Sequence, residues 1–200
     1  MSEITPTRSA VIALVEERRA MHDSYVFLDE KCLLLAEAMM KELRRYEGLT
    51  GSLRAALGET AAALHSALAR HGLEGLQCYP AVDLGAVAPS VTQRRLMGVL
   101  LQAAELDTAG RPPYEPVNPS PEAEACREQY ARAAALGAQL AAVSGNLERL
   151  YHEYRRSVRR VRALQDVLLP EIDRTVNEIE TRLEELEQDE ALWLRYHRRS

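Results

Sequence analysis

At 200 residues the chain suits one domain or one long hairpin, and its Ala-, Leu-, Glu- and Arg-rich make-up, with one Phe and one Trp, favours helix over a thick globular core. A net charge of −5 gives no general attraction to nucleic acid or an anionic membrane, although 23 of the 25 basic residues are Arg. Cys32, Cys78 and Cys126, odd in number and far apart, fit neither a zinc site nor a disulfide framework, and no run approaches the roughly 18–20 apolar residues that span a bilayer. With no apolar signal segment in "MSEITPTRSAV", a reduced, cytoplasmic, soluble protein is expected, touching a membrane only through partners.

From Thr7 to Tyr46 apolar residues recur in alternating steps of three and four: Val11, Leu14, Met21, Tyr25, Leu28, Cys32, Leu35, Met39, Leu43 and Tyr46, interrupted once by Arg18. A pattern held over several heptads predicts a coiled-coil seam. Thr5 or Thr7, flanking Pro6, offers a helix start, and Gly72 after "LARH" offers a stop. The seam is expected to continue more weakly through Leu53, Leu57, Ala61, Leu64 and Leu68.

Residues 72–120 change character. Seven of the nine prolines lie between Pro80 and Pro121, and Val-rich runs broken by Gly and Pro predict short strands or a hairpin. "TAGRPPYEPVNPSPE" reads as a loop. Beyond Pro121 helix returns, first with a small-residue stripe, then with a second seam at Val158, Val161, Leu164, Leu168, Ile172, Val176, Ile179, Leu183 and Leu186. The two seams bury each other most simply as an antiparallel coiled coil, so the expected fold is all-α dominated. Its expected segments are an N-terminal helix (1–71), an irregular middle with a short β-hairpin (72–120) and a C-terminal helix (121–200). Pro170, inside the second seam, removes a backbone donor and should bend the helix.

The segment "RRVRALQDVLLPEIDRTVNEIETRLEELEQDEALWLRYHR" (159–198) closely resembles the C-terminal helix of the D subunit of V-type and A-type ATP synthases, the central rotor shaft. "TPTRSAV" is similar to the family's N-terminus, and "RLMGVLL" (95–101) to its mid-chain strand segment. "FLDEKCLLL" departs from the family, retaining only Lys31 of its Lys-Arg-Asp cluster, with Cys32 and Leu33 following. The resemblance implies a non-catalytic shaft whose paired termini enter a hexamer of catalytic and non-catalytic subunits. It further implies a small F subunit of the stalk beside the coiled coil, a socket subunit above the membrane ring, and coupling of ATP turnover to ion translocation. A free-standing coiled-coil adaptor or scaffold is the alternative, and a helical enzyme with a carboxylate site a third class.

"RLYHEYRRSVRRVR" (149–162) holds six arginines against Glu153. Arg155, Arg156, Arg159, Arg160 and Arg162 form either a solvated flank or, in a rotor, a basic collar facing acidic loops of the hexamer. Ten acids against two arginines over 166–190 would repel a nucleic-acid backbone, so no nucleic-acid partner is expected. The acids of "IETRLEELEQDE" scatter around a helix with no His at ligand spacing, His152-Glu153 lacks a second His, and no GxxxxGK[ST] loop occurs. No cofactor, metal or catalytic residue is expected.

Overall fold

The computed structural model describes residues 5–80, 88–107 and 115–198. It contains helix α1 (Arg8–Gln77), strands β1 (Ser90–Leu96) and β2 (Val99–Glu105), helix α2 (Pro121–Ala163), a π-helical turn (Leu164–Leu168) and helix α3 (Leu169–His197). This is the helix–hairpin–helix order that the periodicities predict. Of the expected loop, 108–122, residues 108–114 lie outside the described residues, 115–120 are neither helix nor strand, and Pro121 and Glu122 already belong to α2. The chain forms two compact units, Met1–Leu34 with Tyr154–Ser200, and Leu35–Glu153.

In the first unit the helical segments run antiparallel, since Arg8 pairs with Glu187 at 2.5 Å and Arg18 with Asp173 at 2.5 Å. The helix starts where Thr7 predicts: its Oγ1 accepts the Ala10 N–H at 3.2 Å, satisfying one of the four orphan donors of a helix N-terminus. Ile172, Val176 and Ile179 are buried with Val161 and Cys32, while Val11, Leu14, Met21, Tyr25, Leu28, Leu164 and Leu183 are half-buried. Arg18, the one charge in the first seam, is half-exposed and reaches Asp173.

Two seam positions in this unit differ from expectation. Leu168 is 38% exposed and Leu169 takes its place, half-buried. The cause is the π turn: the Leu169 N–H bonds to the Leu164 carbonyl, five residues back, so one extra residue is absorbed and the seam steps from 164 to 169. Pro170 follows immediately, in the first turn of α3. A proline inside an α-helix collides with the carbonyl four residues earlier, here that of Asp166. The widened turn lets α3 proceed past the ring. Leu186 is 54% exposed because it lies at the level of Glu187, which meets Arg8 at the first residue of α1.

The second unit packs differently. The buried positions of α1 are Leu35, Glu42, Ala56, Thr60 and Ala67, with Tyr46, Leu49, Leu53 and Leu64 half-buried between them. The three-four alternation continues without a break, so Glu42 faces inward and Leu43 is left 39% exposed. The same phase exposes Leu57, Ala61 and Leu68 and buries Ala56, Thr60 and Ala67 instead. Opposite them α2 supplies Ala123, Cys126, Ala133, Val143, Asn146 and Leu150, and β2 supplies Val99 and Leu101. Small residues on both helices allow close approach. The Arg132–Glu59 and Arg70–Glu122 pairs fix the antiparallel direction.

At its far end α1 is interrupted at Gly72, whose φ of 68° lies in the left-handed region, before its last turn to Gln77. α2 begins at a cap: Ser120 Oγ accepts the Ala123 N–H at 3.2 Å, Pro121 occupies the first helical position, and Glu122 and Glu124 lie in the first turn. Between them β1 and β2 pair antiparallel, closed by Met97 (φ 47°) and Gly98 (φ 84°). Two positive φ angles in a two-residue loop make a type I′ turn, whose twist matches the strands.

Candidate functional site

Three surfaces carry chemistry in these units: the outer end of α3, the arginine-rich stretch of α2 and the seat of the hairpin.

Beyond Leu183 every residue of α3 is exposed, including the large apolar Leu186, Leu192, Trp193, Leu194 and Tyr196. The Trp193 and His197 rings meet tilted by 32°, with centroids 4.0 Å apart. Exposed aromatic and aliphatic groups gathered on one helix end make it a candidate contact surface. Below it, Glu180, Glu184 and Glu187 share a groove with Arg8, Val11, Ile12 and Leu183. The Arg8 guanidinium, bonded to Glu187, is held above its usual pKa. Among the described residues no three His, Cys, Asp or Glu side chains gather as a metal site. The acids of 179–190 are exposed along α3.

Arg155, Arg156, Arg159, Arg160 and Arg162 are all exposed. Ser157 and Val161, on the intervening positions, are buried at 1% and 9%, which turns the guanidiniums outward. Lys31 and Leu33 lie on the first seam's flanks, Leu33 at 68% exposure, while Cys32 points inward. Burial pushes the Cys32 thiol up, Asp29 adds to the shift and Lys31 opposes it; burial alone raises Cys126. Both are poor nucleophiles at neutral pH, since the thiolate is the reactive species.

The hairpin is held by a side chain that the periodicity does not single out. Asn146 of α2 is 2% exposed, accepts the Gln102 N–H at 2.8 Å through Oδ1 and donates through Nδ2 to the Gln102 carbonyl at 2.7 Å. The amide thus satisfies one residue of β2 on both its backbone groups, as a neighbouring strand would. Arg149 braces the arrangement, donating to Gln102 Oε1 at 3.1 Å and Asn146 Oδ1 at 2.9 Å. On the other side Glu42 receives Arg94 at 3.5 Å, and its Oε2 is buried without a partner among the described residues. A cavity of about 100 Å³ beside it has room for water. The sequence signal for Asn146 is a polar residue within a small-residue stripe, and for Glu42 an acid one position from a seam leucine.

A further cluster ties the ends of the helices in this unit. His71 Nε2 lies 2.6 Å from Ser120 Oγ, and the Tyr79 hydroxyl donates to Glu124 at 3.0 Å. Burial, reinforced by Glu124, raises the Tyr79 pKa. Ser120 is 4% exposed and its oxygen also caps α2, so the His71–Ser120 pair ties the two helix ends.

No helix among the described residues is long and apolar enough to cross a membrane. A sequence profile for the D subunit of ATP synthase matches residues 10–197. The chain is similar to the D subunit of the V-type ATP synthase of Thermotoga neapolitana, 24% identical over 193 residues that cover 96% of this chain and 95% of the relative. It is also similar over 103 residues to the D subunit of the A-type ATP synthase of Thermococcus sibiricus, at 31% identity covering 50% of this chain and 48% of the relative. The A-type D subunit of Pyrococcus furiosus is 30% identical over 103 residues, covering 50% of this chain and 48% of the relative.

Proposed function

The chain belongs to the family of ATP synthase D subunits, and from that premise we propose that it is the central rotor shaft of a V/A-type ATP synthase. The observation that supports this most is the first unit: two segments from opposite ends of the sequence run antiparallel, and α3 continues past their last ion pair as an uncovered apolar end. That end enters the central cavity of the hexamer of catalytic and non-catalytic subunits, where Leu192, Trp193, Leu194 and Tyr196 are covered. The shaft makes and breaks no bond. As it turns, its unequal faces place the catalytic sites in different states and couple ATP synthesis or hydrolysis to ion translocation.

In this reading residues 1–71 and 121–200 are the shaft and 72–120 a side element. A small F subunit of the stalk lies beside the helices, a socket subunit carries the far end above the membrane ring, and the protein is cytoplasmic and peripheral. Arg155, Arg156, Arg159, Arg160 and Arg162 form a basic collar facing acidic loops of the hexamer. The π turn and Pro170 set an asymmetry in the shaft that acts as a cam.

The test is a mild affinity purification of a tagged copy from its native cells. Co-recovery of the large ATPase subunits and one small partner in fixed ratio is the expected result; recovery of the chain alone, or as a dimer with unrelated partners, would remove the motor. Within the complex, Trp193→Glu with Leu194→Glu is expected to uncouple hydrolysis from ion transport, because both carboxylates would be buried unpaired. Pro170→Ala is expected to impair coupling while the isolated chain melts no earlier than wild type. Unchanged coupled transport in that variant would separate the proline from the cam.

A further inference from the structure

The hairpin has one closed edge and one open edge. Gln102 spends its backbone N–H and carbonyl on Asn146, so these groups point away from β1. In an antiparallel pair the residue directly opposite such a position also points its groups outward, and the register places Gln93 opposite Gln102. With the two-residue alternation of a strand, the N–H and carbonyl groups of Val91, Gln93 and Arg95 all face the outer edge of β1. No hydrogen bond to them occurs among the described residues. Every residue of β1 except Leu96 is exposed, whereas β2 is buried or half-buried over most of its length. An unpaired strand edge of this kind is a template for another strand, and Asn146 leaves only the β1 side available.

The charge around this edge selects the partner. Arg94 and Arg95 are exposed, and Arg45 of α1 lines the same cavity as Arg94. The carboxylate beside them, Glu42, is buried and already engaged by Arg94. We propose that the outer edge of β1 is the docking site for an extended acidic segment of another polypeptide, which adds as a third strand through the backbone groups of Val91, Gln93 and Arg95. Main-chain bonds give such a complex its affinity, and an acidic residue beside Arg95 gives it selectivity. A second copy of this chain fits less well, since pairing β1 with itself brings the Arg94 and Arg95 of both copies onto one ribbon. The inference goes beyond the rotor reading and does not depend on it.

The purified full chain is titrated with a fluorescein-labelled peptide in which Glu alternates with Val and Thr, followed by anisotropy and by hydrogen exchange. Saturable binding is expected, with slowed exchange at the Val91, Gln93 and Arg95 amides. Replacing the peptide's Glu by Lys, N-methylating the amides on its bonding edge, or introducing Arg95→Glu should each weaken binding about tenfold or more. Gln93→Pro is a second probe, because the N–H it removes is not part of the β1–β2 ladder; Arg95→Glu, at an exposed site, keeps the test sound if the proline disturbs the strand. Absence of saturation up to about 1 mM, or binding indifferent to N-methylation, overturns the proposal. So does a dimer in sedimentation that Gln93→Pro returns to monomer. Failure here leaves co-purification with the ATPase subunits untouched, so the two readings fail separately.

Discussion

The two units solve the same problem, joining antiparallel helical segments, with different chemistry. Around Val161, Ile172, Val176 and Ile179 the interface is aliphatic, and the polar contacts at Arg8–Glu187 and Arg18–Asp173 are exposed. Around Ala56, Thr60, Ala67, Ala123 and Ala133 the interface is small-residue, and beside the exposed Arg132–Glu59 pair it buries Glu42, Thr60, Ser120 and Asn146. An aliphatic seam gains from area removed from water, whereas a close small-residue seam with buried hydrogen bonds also depends on the geometry of those bonds. The difference teaches where specificity lies. The second unit is held by a few directional bonds, the first by summed burial.

The largest expected effect breaks that contrast at its polar pole. Asn146→Leu leaves the Gln102 N–H and carbonyl without their partner, and is expected to cost about 2–4 kcal/mol, read as a lower denaturation midpoint with fast exchange across β2. An unchanged midpoint would show that the hairpin is seated by Val99 and Leu101 alone. Next, Ile179→Glu is expected to cost about 3 kcal/mol by burying an unpaired charge, while Leu168→Glu, at a position 38% exposed, should shift stability by less than about 0.5 kcal/mol. Equal losses in the two melts would contradict the five-residue step in the seam.

Glu42 sharpens the comparison because its pair is imperfect. Arg94→Ala is expected to destabilise by about 1 kcal/mol, discounted because the guanidinium side chain is 62% exposed, while Glu42→Met should be neutral or stabilising by about 1 kcal/mol. A double-mutant cycle in urea separates the pair from the burial of the carboxylate. Smaller still, Met97→Asn should stabilise the hairpin by about 0.5 kcal/mol, since Asn adopts a positive φ more readily than Met. Finally, the raised Tyr79 pKa sets a sign. Its stabilising contribution is complete below the usual tyrosine value of about 10 and is lost as pH rises through the higher folded value. The difference in midpoint between wild type and Tyr79→Phe should therefore narrow above pH of about 10, and a constant difference would remove the link.

The apolar periodicity from Val11 to Leu35 was legible because each apolar position of the pattern there is buried or half-buried. Legibility stopped at Leu43, where reading by hydrophobicity favours the leucine and the helix instead keeps its phase and turns Glu42 inward. Leu57 and Leu68 misled for the same reason: alanines beside them fill the narrow interface. Leu168 could not be excluded without knowing that Pro170 would be met by a π turn. The hairpin could be expected from its Val runs, but its fastening could not, since Asn146 and Gln102 are 44 residues apart and nothing local joins them. The exposed apolar end of α3 was visible as residues; that Leu186 joins it rather than the seam follows from where α1 begins.

The five-residue step at Leu164–Leu168 has one more consequence. Two helices with a uniform heptad repeat can slip past each other by seven residues and still match knob to hole. A single irregular step is a mark that occurs once, like the off-pitch tooth of a timing belt. Displaced by a heptad, the extra residue would face the wrong stretch of α1 and the seam beyond it would fall out of phase. The π turn thus gives an otherwise repetitive interface an unambiguous zero.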